Sequence, residues 1–450
     1  MKNDLQKRYG FWTAVAMVVG IVIGSGVFFK AEKVLQSTGG DMFLGALAWI
    51  ISGSIMIVCA YSFATLARRY SKVNGIVDYA EVALGKTYGY TVGWFMATIY
   101  YPSLAAVVSW VSAKYTAVLF NIGDSGTNIK VYLIAILYLF LIYFMNLVAP
   151  ILSGKFQVSS TFIKLIPLVC MAVIGLFKGI QSGQTIENFR YVTDEVFNSN
   201  PLFTSIVATA FAYEGWIVAT TINAELKNAK KNLPRALLIG SVSIVIIYVL
   251  YFIGISGSMP INEFIQGGEE SVRNAFSKIL GNLGGSTLFI FIVISCLGTL
   301  NGLSMACTRG LYSLSARNMG PLPKVFSKVN KKNNIPVNSG FVGLIMILFW
   351  LLLWYGSFND WWGMFLDFSE LPVITMYFLY IPIFIRMIRV MKDLNFIERF
   401  IVPSLAIIGS IFMIYATFLS HGVKAVSIYF VLFSVIIVIG LIFNNKKGSL

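Results

Sequence analysis

Long apolar runs alternate along the chain with short segments rich in charged residues, Gly, Pro or Asn. A run of roughly 20 residues can cross the hydrocarbon core of a bilayer as an α-helix. The pattern therefore predicts an all-α polytopic membrane protein in which residues 1–450 form a single transmembrane transporter domain with about twelve membrane-spanning helices. We place the spans at 11–35, 42–66, 86–119, 130–150, 158–178, 202–224, 236–257, 286–312, 337–355, 361–385, 398–419 and 423–443.

Two of these spans contain residues that a continuous membrane helix rarely chooses. Gly24, Ser25 and Gly26 interrupt the first span, and residues 211–215 interrupt the sixth. Hydrocarbon offers no partner to a free backbone amide or carbonyl, so such breaks persist where they line a cavity. Half-helix N-termini attract a carboxylate and freed carbonyls attract an ammonium group, which together predict an amino acid site at mid-membrane. The alternative is that these glycines only allow close packing between helices.

Composition and charge agree with a membrane protein and give it an orientation. Hydrophobic residues make up 57% of the chain and charged residues 12%, which excludes an ordinary soluble domain. The formal net charge is +15, and membrane proteins keep basic residues on the cytoplasmic side. On the predicted spans, Lys164 is intramembrane and most other basic residues face inward. We therefore expect a multi-pass protein of the plasma (inner) membrane with both termini cytoplasmic and no cleaved signal peptide.

Several classes of chemistry are excluded by what the sequence lacks. The four cysteines lie in apolar spans and His421 is the sole histidine, so neither a disulfide framework nor a metal cluster is expected. A single histidine also removes Ser/His/Asp and Cys/His catalysis, and no Walker-type phosphate loop is present. The sequence predicts a protein that is not an enzyme and that uses no cofactor, metal or ATP of its own.

Four motifs carry a resemblance to a known family. They are the glycine-rich run at 20–28, Phe-Ala-Tyr-Glu-Gly-Trp at 211–216, the polar run at 225–236, and the segment 296–323 with its Cys-Leu-Gly-Thr-Leu-Asn-Gly start. Their order and spacing resemble the amino acid-polyamine-organocation superfamily, in particular the L-amino-acid transporter branch with its bacterial serine/threonine and alanine/serine/cysteine exchangers.

The resemblance implies an architecture and an activity. Residues 11–178 (helices 1–5) and 202–385 (helices 6–10) would form a five-plus-five inverted repeat, with helices 1 and 6 unwound at mid-membrane and 398–443 as two peripheral helices. The implied function is sodium-independent exchange of small neutral L-amino acids by alternating access. A proton-coupled symporter that also accepts cationic amino acids is the alternative, and a channel or a non-transporting amino acid sensor represents a different class.

The resemblance also implies roles for individual residues. Backbone amides at the first break would bind the substrate carboxylate, carbonyls at both breaks would bind its ammonium group, Phe211 would act as a thin gate, and a leucine on helix 8 would form a small apolar lid. The substrate-binding residues are Val22, Ile23, Gly24, Ser25, Gly26, Phe211, Ala212, Tyr213, Glu214 and Leu303.

Two further residues are expected to act in coupling or conformational change. Lys164 places an ammonium group inside the fifth span, where an unpaired charge is costly and a functional role is the default interpretation. In the resembled family this lysine stands near the first break, where sodium-coupled relatives bind a cation, and Tyr248 could hydrogen-bond in the same area. The alternatives are a lysine that reaches an interface and an aromatic side chain that only packs.

Glu214 departs from many carriers of neutral amino acids, which have a small residue there. It could pair with Lys164 or another internal donor, accept a transported proton, or attract a cationic substrate side chain. The choice between exchange and proton coupling depends on this residue.

The expected partners are small L-amino acids and the lipid bilayer, with no nucleic acid. Eukaryotic members of the branch join a heavy subunit through a cysteine in the loop after helix 3. The corresponding loop here, 120–128, has none. The resemblance therefore implies a bacterial carrier without a disulfide-linked subunit, as a monomer or weak homo-oligomer.

Overall fold

The computed structural model describes residues 10–70, 75–123, 126–191, 200–217, 226–330 and 335–445. These ranges are helical and contain no β-strand, apart from one isolated bridge between Asn330 and Ile335. The helices are α1 (Phe11–Val22), α2 (Gly26–Ser37), α3 (Met42–Arg69), α4 (Ile76–Leu84), α5 (Lys86–Phe95), α6 (Tyr101–Leu119), α7 (Ile129–Val148), α8 (Pro150–Cys170), α9 (Leu176–Gln181), α10 (Gln184–Phe189), α11 (Pro201–Ala212), α12 (Ala229–Ser256), α13 (Ile261–Gln266), α14 (Glu269–Ser315), α15 (Pro323–Phe326), α16 (Val337–Phe358), α17 (Leu371–Val390) and α18 (Val402–Asn445).

Half of these helices are long and apolar enough to cross a membrane. Within the described ranges, nine continuous helices qualify, and α1 with α2 adds a tenth as a broken pair bent by 51°. Helix α11 is apolar but has only 12 residues. Residues 218–225, where we predicted that the sixth span continues, lie outside the described ranges. The expectation of an all-α polytopic membrane protein is confirmed at this level.

Two of the helices are each a pair joined at a glycine. Helix α14 has 47 residues with non-helical Gly281 (φ 76°, ψ 166°), and α18 has 44 residues with non-helical Gly422 (φ 77°, ψ 157°). A straight 44-residue helix would be about 66 Å long, roughly twice the hydrocarbon thickness. Gly422 falls between the predicted spans 398–419 and 423–443.

One predicted span was placed too early in the chain. We expected a helix at 361–385, whereas α17 runs over Leu371–Val390 and the preceding residues form turns. Trp361 and Phe365 made that segment read as apolar. In the structure Phe365 packs edge-on against Phe358, with 4.9 Å between ring centroids. A hydrophobic run predicts burial, and burial does not require a helix. Aromatic residues in a loop can be buried as well as those in a helix, so the run was assigned to the span.

The chain forms two compact units. The first contains Met1–Gly89, Leu168–Ile265 and Val373–Ser420, and the second contains Tyr90–Pro167, Gln266–Pro372 and His421–Leu450. Each unit therefore combines segments from both predicted repeats. Within the first unit α12 packs against α1 and α3, and α11 packs against α2 and α3. Within the second, α14 packs against α6, α7 and α16.

Charged residues tie the end of α3 to the segment before α18 in the first unit. Arg68 forms an ion pair with Glu398 at 2.6 Å, and Tyr61 donates a hydrogen bond to the same carboxylate at 3.2 Å. Arg69 pairs with Asp393, and its hydrogen bond holds the pKa of that carboxyl below its ordinary value. A carboxyl whose pKa is lowered in the folded state stabilises the fold at neutral pH, and this stabilisation is lost as the pH falls. Because the Arg69–Asp393 pair is exposed, its contribution is small.

Candidate functional site

The first helical break lies between α1 and α2. Helix α1 ends at Val22, and Ile23 takes an extended conformation (ψ 100°) while its amide still donates to the Val19 carbonyl at 2.9 Å. Helix α2 begins at Gly26, after Ser25. The predicted interruption at residues 24–26 is thus a real change of helix direction, here with its non-helical residues at 23–25.

The second break begins where α11 ends at Ala212. The amides of Tyr213 and Glu214 donate to the carbonyls of Ala210 and Phe211, both at 3.2 Å, which tightens the last turn. Gly215 then has φ +104°, a conformation that glycine adopts without strain. The helix therefore stops at the predicted motif because its glycine allows the chain to turn.

The two breaks contact each other. A Cβ atom on Gly26 would lie 2.8 Å from the Cα of Ala212, closer than a side chain can approach, and in a tight contact of 3.0 Å with Cδ1 of Phe211. Tyr248 on α12 lies at the same place, where its hydroxyl is 3.3 Å from the Val22 carbonyl and 3.2 Å from the Ala212 carbonyl. One hydroxyl proton serves the two carbonyls, so Tyr248 holds the ends of α1 and α11 together.

Ser25 lies at the centre of the first break with its hydroxyl unused. The residue is 0% exposed, and its Oγ has no hydrogen-bond partner within the described residues. A buried hydroxyl without a partner costs free energy, so such groups call for an explanation. A bound substrate carboxylate would supply the acceptor.

The carbonyls expected to bind an ammonium group are partly occupied. Val22 and Ala212 accept from Tyr248, and Phe211 accepts from the Glu214 amide. A carbonyl oxygen has two lone pairs, so each of the three retains one acceptor position. Together with Ile23 they form a set of acceptors beside the Ser25 donor.

The predicted gate, Phe211, has a neighbour that the sequence analysis missed. Its ring lies 5.3 Å from the ring of Phe29, and the ammonium group of Lys30 lies 5.4 Å from its centroid. Lys30 is buried, at 1% exposed. The sequence analysis gave this lysine no role in the site. Its position four residues after Gly26, inside an apolar run, was the available signal.

Tyr213 belongs to a buried aromatic cluster that supports the break. Its ring lies 5.2 Å from that of Tyr248 and 5.6 Å from that of Trp49, and its hydroxyl donates to the Trp49 carbonyl at 2.9 Å. Gly53 leaves room for this hydroxyl, because a Cβ there would approach it to 2.9 Å. Trp49 and Gly53 on α3 were not predicted.

Glu214 is half-buried and follows the last turn of α11. Its carboxylate interacts electrostatically with Cys59 on α3 and with Tyr377 on α17. Pairing with Lys164, proton transfer and attraction of a cationic substrate therefore all stay hypotheses.

Lys164 and Leu303 belong to the second compact unit. Lys164 is buried on α8, and Leu303 is half-buried on α14. Asn301 lies on α14, in the motif that the sequence analysis identified at 296–323. It joins α14 to α8 by donating to Gln157 Oε1 at 3.0 Å and to the Ser153 carbonyl at 3.3 Å. The motif asparagine therefore fixes the helix that carries Lys164.

The sole histidine is also in the second unit, where it has an acidic partner. His421 Nε2 lies 3.0 Å from Oε2 of buried Glu370. The described residues contain no group of three or more His, Cys, Asp or Glu side chains that could hold a metal ion.

Comparisons with known proteins identify the family that the chain matches. The family model described as amino acid permease matches residues 9–442. The chain is 29% identical over 425 residues to the serine/threonine exchanger SteT of Bacillus subtilis (strain 168), covering 93% of this chain and 92% of that protein. It is 26% identical over 390 residues to the human b(0,+)-type amino acid transporter 1, covering 84% and 77%. It is also 25% identical over 440 residues to the aspartate-proton symporter of Bacillus subtilis (strain 168), covering 95% and 81%.

Proposed function

The chain belongs to the amino acid permease family, and from this premise we propose that it exchanges small neutral L-amino acids across the plasma membrane without sodium. It is a membrane transporter of amino acids rather than an enzyme. The exchange mode is supported by the similarity to a serine/threonine exchanger over nearly the full chain. The proposal includes twelve spans, counted with Gly281 and Gly422 as turns, two inverted repeats, and cytoplasmic termini.

The observation that carries this proposal is the buried Ser25 hydroxyl at the meeting point of the two breaks. We assign the substrate carboxylate to Ser25 and the amides of Gly24 and Gly26. The substrate ammonium group would take the free lone pairs of the carbonyls at Val22, Ile23, Phe211 and Ala212. A zwitterion placed in this way satisfies both charges without a metal ion.

For side-chain selection the proposal assigns roles to two apolar residues. Phe211 covers the substrate side chain as a gate, and Leu303 forms a small apolar lid in the proposed closed state. Both are apolar, which favours small neutral side chains over charged ones. Tyr213 stabilises the second break through its hydrogen bond to the Trp49 carbonyl on α3.

Lys164 is assigned the place of the coupling cation, which is why sodium is not required. A buried ammonium group supplies fixed positive charge where a sodium-coupled carrier would bind an ion. Lys164→Ala is therefore expected to reduce exchange strongly while the protein remains folded. Exposed Lys155 on the same helix provides the matched Lys155→Ala control.

Proton-coupled symport is the second candidate. It is favoured by the acidic Glu214 at the end of α11, which interacts electrostatically with Cys59 and Tyr377, and by similarity to a protein named as an aspartate-proton symporter. In this case Glu214 would carry the proton.

The test is uptake of radiolabelled L-serine into proteoliposomes, with and without internal L-amino acids, under an imposed pH gradient and with sodium replaced by choline. Exchange predicts uptake that requires internal amino acid and does not change with the pH gradient or with the replacement of sodium. Uptake into empty vesicles driven by inward protons would replace exchange with symport. Flux that does not saturate would indicate a channel, and binding without flux would indicate a sensor. The proposed absence of a disulfide-linked subunit predicts full activity from this chain alone.

A further inference from the structure

Three residues on one face of α2 surround the ring of Phe211. Gly26, Phe29 and Lys30 have the spacing i, i+3 and i+4, which places them side by side on a helix. Gly26 lies against Cδ1 of the ring, Phe29 lies 5.3 Å from it with the ring planes at 57°, and the Lys30 ammonium lies 5.4 Å from its centroid. Three residues of one helix thus lie against the ring.

Lys30 contacts two aromatic faces at once. Its ammonium group lies 5.5 Å from the centroid of Phe29 as well as 5.4 Å from that of Phe211. Both distances are within the range in which a cation is attracted to the ring quadrupole, and the attraction is strongest where water is excluded. With the residue 1% exposed, that condition is met.

The backbone of Phe211 is held separately from its ring. The Phe211 carbonyl accepts from the Glu214 amide, and the hydroxyl of Tyr248 bonds to the next carbonyl at Ala212. These contacts fix the main chain and leave the side-chain torsions to be set by neighbouring side chains. Among the three α2 neighbours, Lys30 alone offers a directional electrostatic contact to the ring face.

We infer that Lys30 is a positioning residue for Phe211. Its cation–π contact holds the ring in the orientation in which the ring covers the substrate side chain. This inference rests on the proposed function, because it takes Phe211 to be the gate of the amino acid site. It assigns a role in substrate binding to a lysine that lies outside the two helical breaks.

The first test compares L-serine exchange in Lys30→Met, Lys30→Arg and Lys33→Met. We expect Lys30→Met to raise KM about tenfold with little change in kcat, because a mispositioned gate weakens binding. Arginine also binds aromatic faces and should restore most of the affinity. Lys33, on the same helix and half-buried, is the matched control and should leave KM unchanged.

A double-mutant cycle separates positioning from a general structural role. If Lys30 acts through the ring, Lys30→Met should change KM less than about twofold once Phe211→Leu has removed the ring. The same tenfold loss in the Phe211→Leu background would overturn the inference.

A third measurement follows the orientation of the ring directly and is independent of transport. With 4-fluorophenylalanine incorporated at position 211, the ¹⁹F NMR spectrum of the purified protein should contain one narrow resonance, in the parent and in Lys33→Met. Lys30→Met should broaden or split that resonance as the ring samples other orientations. An unchanged line in Lys30→Met would refute the positioning role even if L-serine is not the substrate. Absence of exchange in the parent with the expected ¹⁹F change would refute the proposed function alone.

Discussion

The break at residues 23–25 and the break at Gly281 both interrupt a helix, yet they are built in opposite ways. A Cβ added to Gly26, at the end of the first break, would collide with Ala212, whereas a Cβ on Gly281 would meet nothing within 4 Å. Gly281 is instead required by its backbone, with φ 76° and ψ 166°, a region essentially restricted to glycine. Gly422 has the same character, with φ 77° and open space around it.

The polar groups around the two breaks differ as well. The first break buries a hydroxyl without a described partner and shares a tyrosine between two helix ends. The Gly281 break lies in open space and is a change of chain direction. A glycine interruption in a membrane protein is therefore a candidate binding site when it is tightly packed and polar groups remain to be satisfied, and a turn when its surroundings are open.

Gly26→Val is the strongest test of this comparison. The added side chain has no room beside Ala212 and Phe211, so we expect L-serine uptake to be abolished together with substrate protection in a thermal-shift assay. A Cβ atom on Gly154 of α8 would meet nothing within 4 Å, so Gly154→Val is the control. Preserved uptake by Gly26→Val would remove the first break from the site.

Tyr248→Phe should have the next largest effect. It removes the hydroxyl that joins the carbonyls of Val22 and Ala212, and we expect exchange to fall about tenfold and stability to drop by about 1–3 kcal/mol. Tyr251 on the same helix is buried and its hydroxyl has no partner among the described residues, so Tyr251→Phe should be nearly silent. Equal losses in the two variants would show that the hydroxyl does not join the breaks.

Ser25→Ala should change binding and stability in different directions. Removal of a substrate hydrogen bond should raise KM about tenfold, whereas removal of an unsatisfied buried hydroxyl should leave the melting temperature unchanged or higher. Ser241→Ala is the control, because that hydroxyl on α12 is also buried without a described partner and lies outside the breaks. A normal KM in Ser25→Ala would leave the hydroxyl without a role in binding.

Gly281→Ala should have the smallest effect on transport. The alanine is forced into a conformation that costs roughly 1–3 kcal/mol, so the melting temperature should fall while the KM for L-serine is unchanged. A raised KM would contradict the interpretation of this glycine as a turn.

The sequence by itself determined the class of the fold and the location of the breaks. Apolar runs of membrane length follow directly from the cost of leaving polar groups in hydrocarbon, and they predicted nearly every long helix. The glycine pattern predicted where α1 and α11 end. Gly215 permits the positive φ after α11, and Gly26 leaves room for the close approach of Ala212 at the first break. The order of four motifs identified the family, which the comparisons confirmed.

Only the tertiary structure decided which groups meet. That Gly26 packs on Ala212, that Lys30 lies over Phe211, and that Tyr248 bonds to both breaks are facts about residues far apart in the chain. In a membrane helix nearly every face is apolar, so periodicity does not distinguish a face toward lipid from a face toward another helix. Packing settles that choice, and with it the surroundings of Ser25 and Phe211.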